Sequence, residues 1–274
     1  MDSNNIDHYN KATEAYKQAI SVKPDDVEAH YNLGVSYGKL GRYQEAIEAF
    51  RQAIHLKPDY AASHNQLGNA FNRLGRFQEA IEAFKQAIRL KPDYANAHYN
   101  LGVSYGKLGR FQEAIEAFKE AIRLKPDYAA AFYNLGIAYD SLGHYQEELE
   151  AYKQAIRLQP DYANAYYNLG VTYSKLGRYE EEADTYVEAI RRKPDYVAAH
   201  YNLGVVYRRL GRYQEAVEAL REAIRLKPDY ANAHYNLGVS YFLLGDTSSA
   251  LQEHKILKGL GKESANQLYK LIYG

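Results

Sequence analysis

The sequence predicts an all-α fold built as a linear array of helical hairpins, and three observations carry that expectation. Gly34, Gly68, Gly102, Gly136, Gly170, Gly204 and Gly238 recur at a fixed spacing of 34 residues, a period that marks a solenoid or an array. Every period holds two stretches with apolar side chains at helical spacing. Between these stretches stand a Gly and then a Lys-Pro-Asp-Tyr type segment, the punctuation that ends helices. Aligned on the glycines, seven units run 27–60, 61–94, 95–128, 129–162, 163–196, 197–230 and 231–264.

The elements can be justified in chain order. Residues 1–26 precede the first unit and contain YNKATEAYKQAISV, residues 9–22, with Tyr9, Ala12, Tyr16 and Ala19 in the register of a second helix and Pro24 closing it. Its partner first helix is missing from the pattern. Thr13 and Lys11 stand where later units have Ile and Glu, so this helix is expected to cap the array mildly or to belong to a longer one. Within a unit the first half is exemplified by AHYNLGVSYGKL, Ala29 to Leu40, which puts Leu33, Ser36, Tyr37 and Leu40 on one stripe with Gly34 where a neighbouring helix can approach. The second half, YQEAIEAFRQAIHL, sets Ala46, Ile47, Phe50, Ala53, Ile54 and Leu56 at helical spacing. Gly41 suits the end of the first helix, and Asp59 is the expected N-cap of the next unit. At the C-terminus SANQLYKLIY places Ala265, Leu268, Tyr269 and Ile272 at helical spacing. Residues 27–264 are thus seven hairpins, and 265–274 are read as a capping helix.

These units resemble tetratricopeptide repeats. Family positions 7, 8, 11, 20, 24, 27 and 32 carry Leu33, Gly34, Tyr37, Ala46, Phe50, Ala53 and Pro58 in the first unit, and nearly the whole chain follows the pattern. The early Trp of the family is replaced by His30, His64, His98, Phe132, Tyr166, His200 and His234. The resemblance implies a right-handed superhelix of antiparallel helix pairs, first helices lining the concave side and second helices the convex side. It also implies a protein-protein interaction scaffold.

Position 6 is a carboxamide in every unit: Asn32, Gln66, Asn100, Asn134, Asn168, Asn202 and Asn236. Core packing needs the Leu and Gly beside it, but not an amide. A carboxamide both donates and accepts, so a column of them at about 10 Å spacing can pair with the N–H and C=O groups of an extended peptide. The column resembles the asparagine ladder in the tetratricopeptide arm of O-linked N-acetylglucosamine transferases, which holds extended peptides; Gln66 departs from it. The opposite reading is that Asn-Leu-Gly is a common family feature and the amide simply a tolerated, solvated residue. Position 5 adds Tyr31, Tyr99, Tyr133, Tyr167, Tyr201 and Tyr235, broken by Asn65, large contact surfaces with little entropy to lose. Position 13 adds Lys39, Arg73, Lys107, Lys175 and Arg209, broken by Ser141 and Leu243. That basic column favours an extended, acidic segment as ligand; a cation at a helix C-terminus is also explained by the helix dipole. The carboxylate clamp of chaperone-tail binders needs basic groups at positions 2, 5 and 6, and those columns are not basic here.

Two further columns need a reading. Position 20 is Ala46, Ala80, Ala114, Ala216 and Ala250, but Glu148 and Glu182 in two central units. A charged, buried and unpaired carboxylate would cost several kcal/mol, so either the hairpin opens and the carboxylate reaches water at the edge, or a polar contact couples units 129–162 and 163–196. The position-4 histidines, one repeat apart and so about 10 Å from each other, are too far apart to share a metal ion and are read as packing residues.

Composition excludes several function classes. Lys plus Arg and Asp plus Glu are each 34, for a net charge of zero, so no long-range field draws in nucleic acid or an anionic membrane. There is no cysteine, hence no disulfide and no thiolate metal site. No apolar run approaches the ~20 residues of a membrane span, and the opening MDSNNIDHYN lacks the regions of a signal peptide; a soluble, cytoplasmic protein is expected. No Gly-x-Ser-x-Gly, phosphate-binding Gly-rich loop or His-Glu-x-x-His occurs, so neither enzyme activity nor a cofactor is expected. Two alternatives to peptide capture remain. One is self-assembly, a homo-oligomer formed through the terminal helices. The other is an engineered, consensus-like scaffold without a native ligand, against which the irregular Glu148, Thr185 and Arg192 count.

Overall fold

In a computed structural model of the chain, residues 3–274 are described, with side chains from residue 5 onward. Among the described residues there are sixteen helices and no strand. They fall into two compact units, Met1–Leu142 and Gly143–Gly274.

The N-terminal unit contains α1 (Ser3–Val22), α2 (Val27–Lys39), α3 (Tyr43–Leu56), α4 (Ala61–Arg73), α5 (Phe77–Leu90), α6 (Ala95–Lys107), α7 (Phe111–Leu124) and α8 (Ala129–Ser141). Helices α2 and α3, α4 and α5, and α6 and α7 pack as hairpins, and each second helix also packs on the first helix that follows it. The reason lies in the stripe each second helix buries: Ala46, Ile47, Ala49, Phe50 and Ala53 in α3 repeat as Ala80, Ile81, Ala83, Phe84 and Ala87 in α5. Full burial of one such Ile or Phe stabilises by about 1.5–3 kcal/mol. The small residues let the backbones close up around the ring. A Cβ built on Gly34 would lie 2.6 Å from Cε1 of Phe50, so position 8 has no room for Ala. Gly41 ends α2 at φ 75°, a left-handed turn that side chains other than Gly rarely adopt.

The ends of the helices differ from expectation in two places. Helix α1 begins at Ser3, well before Tyr9, and Thr13 is buried at 2 % exposure, a burial its hydroxyl tolerates by donating to the Tyr9 carbonyl, 2.8 Å away. Asp59 does not cap α4. The N-cap there is Tyr60, which makes no side-chain cap bond; the turn is closed instead by the backbone, with the Tyr60 N–H donating to the Lys57 carbonyl at 3.1 Å. Position 34 has been given to a ring that packs on Tyr31, centroids 5.2 Å apart. Carboxylate caps remain at α2, where Asp26 accepts from the Ala29 N–H at 3.0 Å, and at the helix Thr247–Gly259, where Asp246 accepts from the Ser249 N–H at 3.0 Å.

The C-terminal unit contains α9 (Tyr145–Leu158), α10 (Ala163–Lys175), α11 (Tyr179–Arg192), α12 (Val197–Arg209), α13 (Tyr213–Leu226), α14 (Ala231–Leu243), α15 (Thr247–Gly259) and α16 (Ser264–Tyr273). Helix α16 packs on α14 and α15. It supplies Leu268, fully buried, whose Cδ2 lies 2.5 Å from where a Cβ on Gly238 would be. Leu268 thus fills the place that Phe50 fills over Gly34. Tyr269, expected on the buried stripe of α16, is 47 % exposed and packs on His254 and Tyr273, with centroids at 5.3 and 4.7 Å.

Candidate functional site

Helices α2, α4 and α6 lie side by side in the N-terminal unit, and their inner faces form a groove with a cavity of about 690 Å³. Its walls carry the cations Lys39, Arg73 and Lys107, the amides Gln66, Asn69, Asn72 and Asn100, and the rings of Tyr43, Phe50, Phe77 and Tyr99. Among the described residues no carboxylate lines it. The spacing of one first-helix position per repeat brings these side chains to one surface. Lys39, Arg73, Lys107, Tyr99 and Asn100 are the sequence-expected residues among them; Tyr31 and Asn32 stand on α2 but outside the lining.

The amide column makes bonds within the protein. Asn134 Nδ2 donates to the Tyr99 hydroxyl at 3.0 Å and to the Ala130 carbonyl at 3.0 Å. The same pairing recurs in the C-terminal unit, Asn202 to Tyr167 at 3.2 Å and Asn236 to Tyr201 at 3.3 Å. Each of these position-6 amides thereby holds the position-5 tyrosine of the preceding hairpin. Asn100 meets Asn65 in place of a tyrosine, a weaker contact at 3.4 Å. Asn168 donates to Tyr152 at 3.4 Å. Asn236 is nearly enclosed at 8 % exposure, whereas Asn32, Asn100, Asn134, Asn168 and Asn202 are half-buried.

The tyrosines are half-buried and packed. Tyr99 sits between Tyr128 and Phe118, centroids 4.8 and 5.9 Å away. Tyr167 sits likewise between Tyr196 and Tyr186, at 4.9 and 5.7 Å. Tyr201 packs on Tyr230 at 4.9 Å, and Tyr235 packs on the cluster of Val239, Leu257 and Leu268. Tyr133 is half-buried on α8. Burial pushes the Tyr99 and Tyr201 phenols up, and Tyr128 up to about 12. These hydroxyls therefore stay neutral near pH 7 and keep both donor and acceptor capacity.

The position-13 cations have two different environments. Among the described residues, Lys39, Arg73 and Lys107 make no ion pair within 4.0 Å. In the C-terminal unit Lys175 Nζ lies 3.9 Å from Glu148 Oε2, and Arg209 Nη1 lies 3.9 Å from Glu182 Oε2. Both carboxylates are buried, at 1 % and 3 % exposure. The expectation of an opened hairpin with the carboxylate in water is therefore wrong: α9 and α11 stay regular, and polar groups meet the carboxylates inside. Thr172 Oγ1 donates to Glu148 Oε1 at 2.7 Å, joining α9 to α10 of the next hairpin. Glu182 accepts from Ser174; its carboxyl is nonetheless pushed up, chiefly by burial, against the downward pull of Ser174 and Arg209.

The position-4 histidines lock turns. The Nε2 of His30, His64, His98, His200 and His234 each meets the carbonyl of the proline six residues earlier, at 2.9–3.0 Å. A carbonyl only accepts, so Nε2 carries the proton, the task an indole N–H would perform. Where Tyr166 replaces histidine, Arg192 takes over: its Nε donates to the Pro160 carbonyl, its Nη2 donates to the Tyr166 hydroxyl at 2.7 Å, and its guanidinium lies 3.8 Å from the Tyr166 ring centroid. Among the described residues no group of three His, Asp or Glu side chains is placed to hold a metal ion.

Several groove residues escape sequence reasoning. Tyr43 and Phe77 open the second helices and lean into the cavity, and Asn69 Nδ2 donates to Gln66 Oε1 at 2.9 Å. Gly38 is another, lining the groove although a Cβ there would meet nothing within 4 Å. A glycine inside a helix, one residue before a lysine and with no packing reason, was the available signal.

Comparison with known proteins agrees with this architecture. The family described as the C-terminal domain of cilia and flagella-associated protein 70 matches residues 4–198, a tetratricopeptide repeat family matches 185–218, and a TPR repeat family matches 206–245. No curated protein matches the sequence. The solved structure of YrrB, described as a TPR protein with an unusual peptide-binding site, is 25% identical, covering 68% of this chain and 96% of its own, with a TM-score of 0.61. MamA is 30% identical, covering 59% of this chain and 95% of its own, at a TM-score of 0.57. The C-terminal part of a TPR repeat-containing protein from Cytophaga hutchinsonii shares the fold at 18% identity, covering 85% of this chain and 95% of its own, with a TM-score of 0.71. Proteins of this architecture generally mediate protein-protein interactions, and among the described residues no helix is long and apolar enough to cross a membrane. The 34-residue hairpins, the glycines under aromatic rings and the match over residues 4–198 make this chain a member of the tetratricopeptide repeat proteins, in the family described as the C-terminal domain of cilia and flagella-associated protein 70.

Proposed function

We propose that the protein is an interaction scaffold that captures an extended segment of a partner protein on its first-helix face. The observation that carries this reading is the groove over α2, α4 and α6, with three cations, four amides and four rings on its walls and, among the described residues, no carboxylate. An extended backbone presents N–H and C=O groups to such a surface. Asn134, Asn202 and Asn236 commit their Nδ2 atoms to tyrosine hydroxyls, so on those rungs a ligand N–H would meet Oδ1. Gln66, Asn69 and Asn100 supply the amides at the groove itself, Tyr99 supplies contact area, and Lys39, Arg73 and Lys107 favour acidic side chains. Asn32, Tyr31 and Tyr133 add secondary contacts in the N-terminal unit; Asn168, Tyr167, Tyr201 and Tyr235 repeat the columns in the C-terminal unit, where Lys175 and Arg209 are held by Glu148 and Glu182. YrrB, a TPR protein described as having a peptide-binding site, is consistent with this use of the fold.

Random-peptide display against the parent and Asn100→Ala, both verified as folded by circular dichroism, tests the reading. Peptides enriched on the parent and lost on the variant are the expected outcome. Enrichment that survives the change, or none at all, would remove the groove as the binding surface.

A further inference from the structure

The groove also specifies where charge should lie along its ligand. Lys39, Arg73 and Lys107 occupy the same position of three successive hairpins, each within the final turn of its first helix. Neighbouring first helices stand about 10 Å apart, and an extended chain in the polyproline II conformation advances about 3.1 Å per residue and presents every third side chain on one face. One rung of the groove therefore corresponds to about three ligand residues. Gly38, beside Lys39, points the same way. A glycine near the end of a helix costs stability relative to Ala, and nothing within 4 Å would obstruct a Cβ at this position. Packing does not require it, and it forms part of the groove wall. What a missing Cβ permits there is the close approach of a ligand main chain.

We infer that the N-terminal unit selects an extended acidic segment whose carboxylates recur at every third residue, its backbone passing over Gly38 and its charges meeting Lys39, Arg73 and Lys107. The inference rests on the proposed peptide capture and adds to it a charge register and a location. The C-terminal unit does not share the preference, because Glu148 and Glu182 already stand against Lys175 and Arg209.

Fluorescence anisotropy on the full chain tests this with three labelled Ser/Gly/Ala-based peptides of equal length. One carries Asp at every third residue, one carries the same Asp residues in a contiguous block, and one replaces them all with Asn. Because Lys and Arg stems flex, the register peptide is expected to bind about fivefold tighter than the blocked one, a difference of about 1 kcal/mol. Lys39→Gln/Arg73→Gln/Lys107→Gln should abolish the difference, and Lys175→Gln/Arg209→Gln should leave it. Gly38→Ala should raise the melting temperature while weakening the register peptide. Equal affinity for the two acidic peptides, or a preference lost only with Lys175 and Arg209, overturns the register. Equal binding of all three peptides that is still lost with Asn100→Ala removes the register alone. No binding by any of the three overturns both the register and peptide capture.

Discussion

The two units carry the same columns on their first helices and use them differently. In the N-terminal unit the residues under the cations are Ala46 and Ala80, fully buried and apolar, and Arg73 and Lys107 face the groove. In the C-terminal unit the corresponding residues are Glu148 and Glu182, and Lys175 and Arg209 are turned to them. The rings at position 24 change in step, from Phe50, Phe84 and Phe118 to Tyr152 and Tyr186. The added hydroxyls accept from Asn168 and Asn202 at 3.4 and 3.3 Å. One buried column thus decides whether its exposed neighbour is available to a ligand.

The contrast can be broken most forcefully at Arg192. Arg192→Ala removes the donor to Pro160 and the contact with the Tyr166 ring, and should cost about 2 kcal/mol in urea unfolding. In a Tyr166→His background, which restores the turn lock of His30, His64 and His98, the same change should cost less than half as much; an unchanged cost would show that Arg192 does not substitute for histidine.

Thr172→Val comes next. It keeps the shape but removes the hydroxyl that donates to the buried Glu148 carboxylate, and should lower stability by about 1.5 kcal/mol. Val206 already stands at the equivalent place in α12, so the backbone accepts this side chain. A neutral result would mean that other groups satisfy Glu148.

A smaller effect is expected from pH. Glu182 is raised from the ordinary glutamate value of 4.5, chiefly by burial. A carboxyl with a folded pKa above its unfolded one binds its proton more tightly in the folded state. Below the unfolded value there is no penalty. The penalty develops as pH rises through the folded pKa and is complete above it. Relative to Glu182→Gln, the parent should therefore gain stability as pH falls from neutral toward 4.5. A stability difference between the two that does not change with pH would show that Arg209 and Ser174 fully offset the burial.

The smallest change is expected in the N-terminal groove. Lys39→Gln, Arg73→Gln and Lys107→Gln should each move stability by no more than about 0.5 kcal/mol, because none of these cations has an internal ion-pair partner among the described residues. A larger loss from any one of them would show that the groove cations are structural, and would erase the contrast with Lys175 and Arg209.

The fold was legible because its signals are local and repeated. Gly34 under Phe50 and Gly41 in a left-handed turn are sequence positions whose chemistry admits few alternatives. Asp59 misled because a side chain suited to a cap competes with a backbone turn that needs none. The candidate site was only half legible. Lys39, Arg73, Lys107, Tyr99 and Asn100 could be named from their columns, but the amides' commitment to tyrosine hydroxyls could not, since each such bond joins residues one full repeat apart.

By itself the sequence determined the repeat period, the helical class and which faces are apolar, because spacing and turn chemistry act over a few residues. Only the tertiary structure decided which cations remain available and which amides are already bonded. Those outcomes depend on side chains from separate hairpins meeting within hydrogen-bond distance, as Thr172 meets Glu148, and on the desolvation that makes such meetings obligatory.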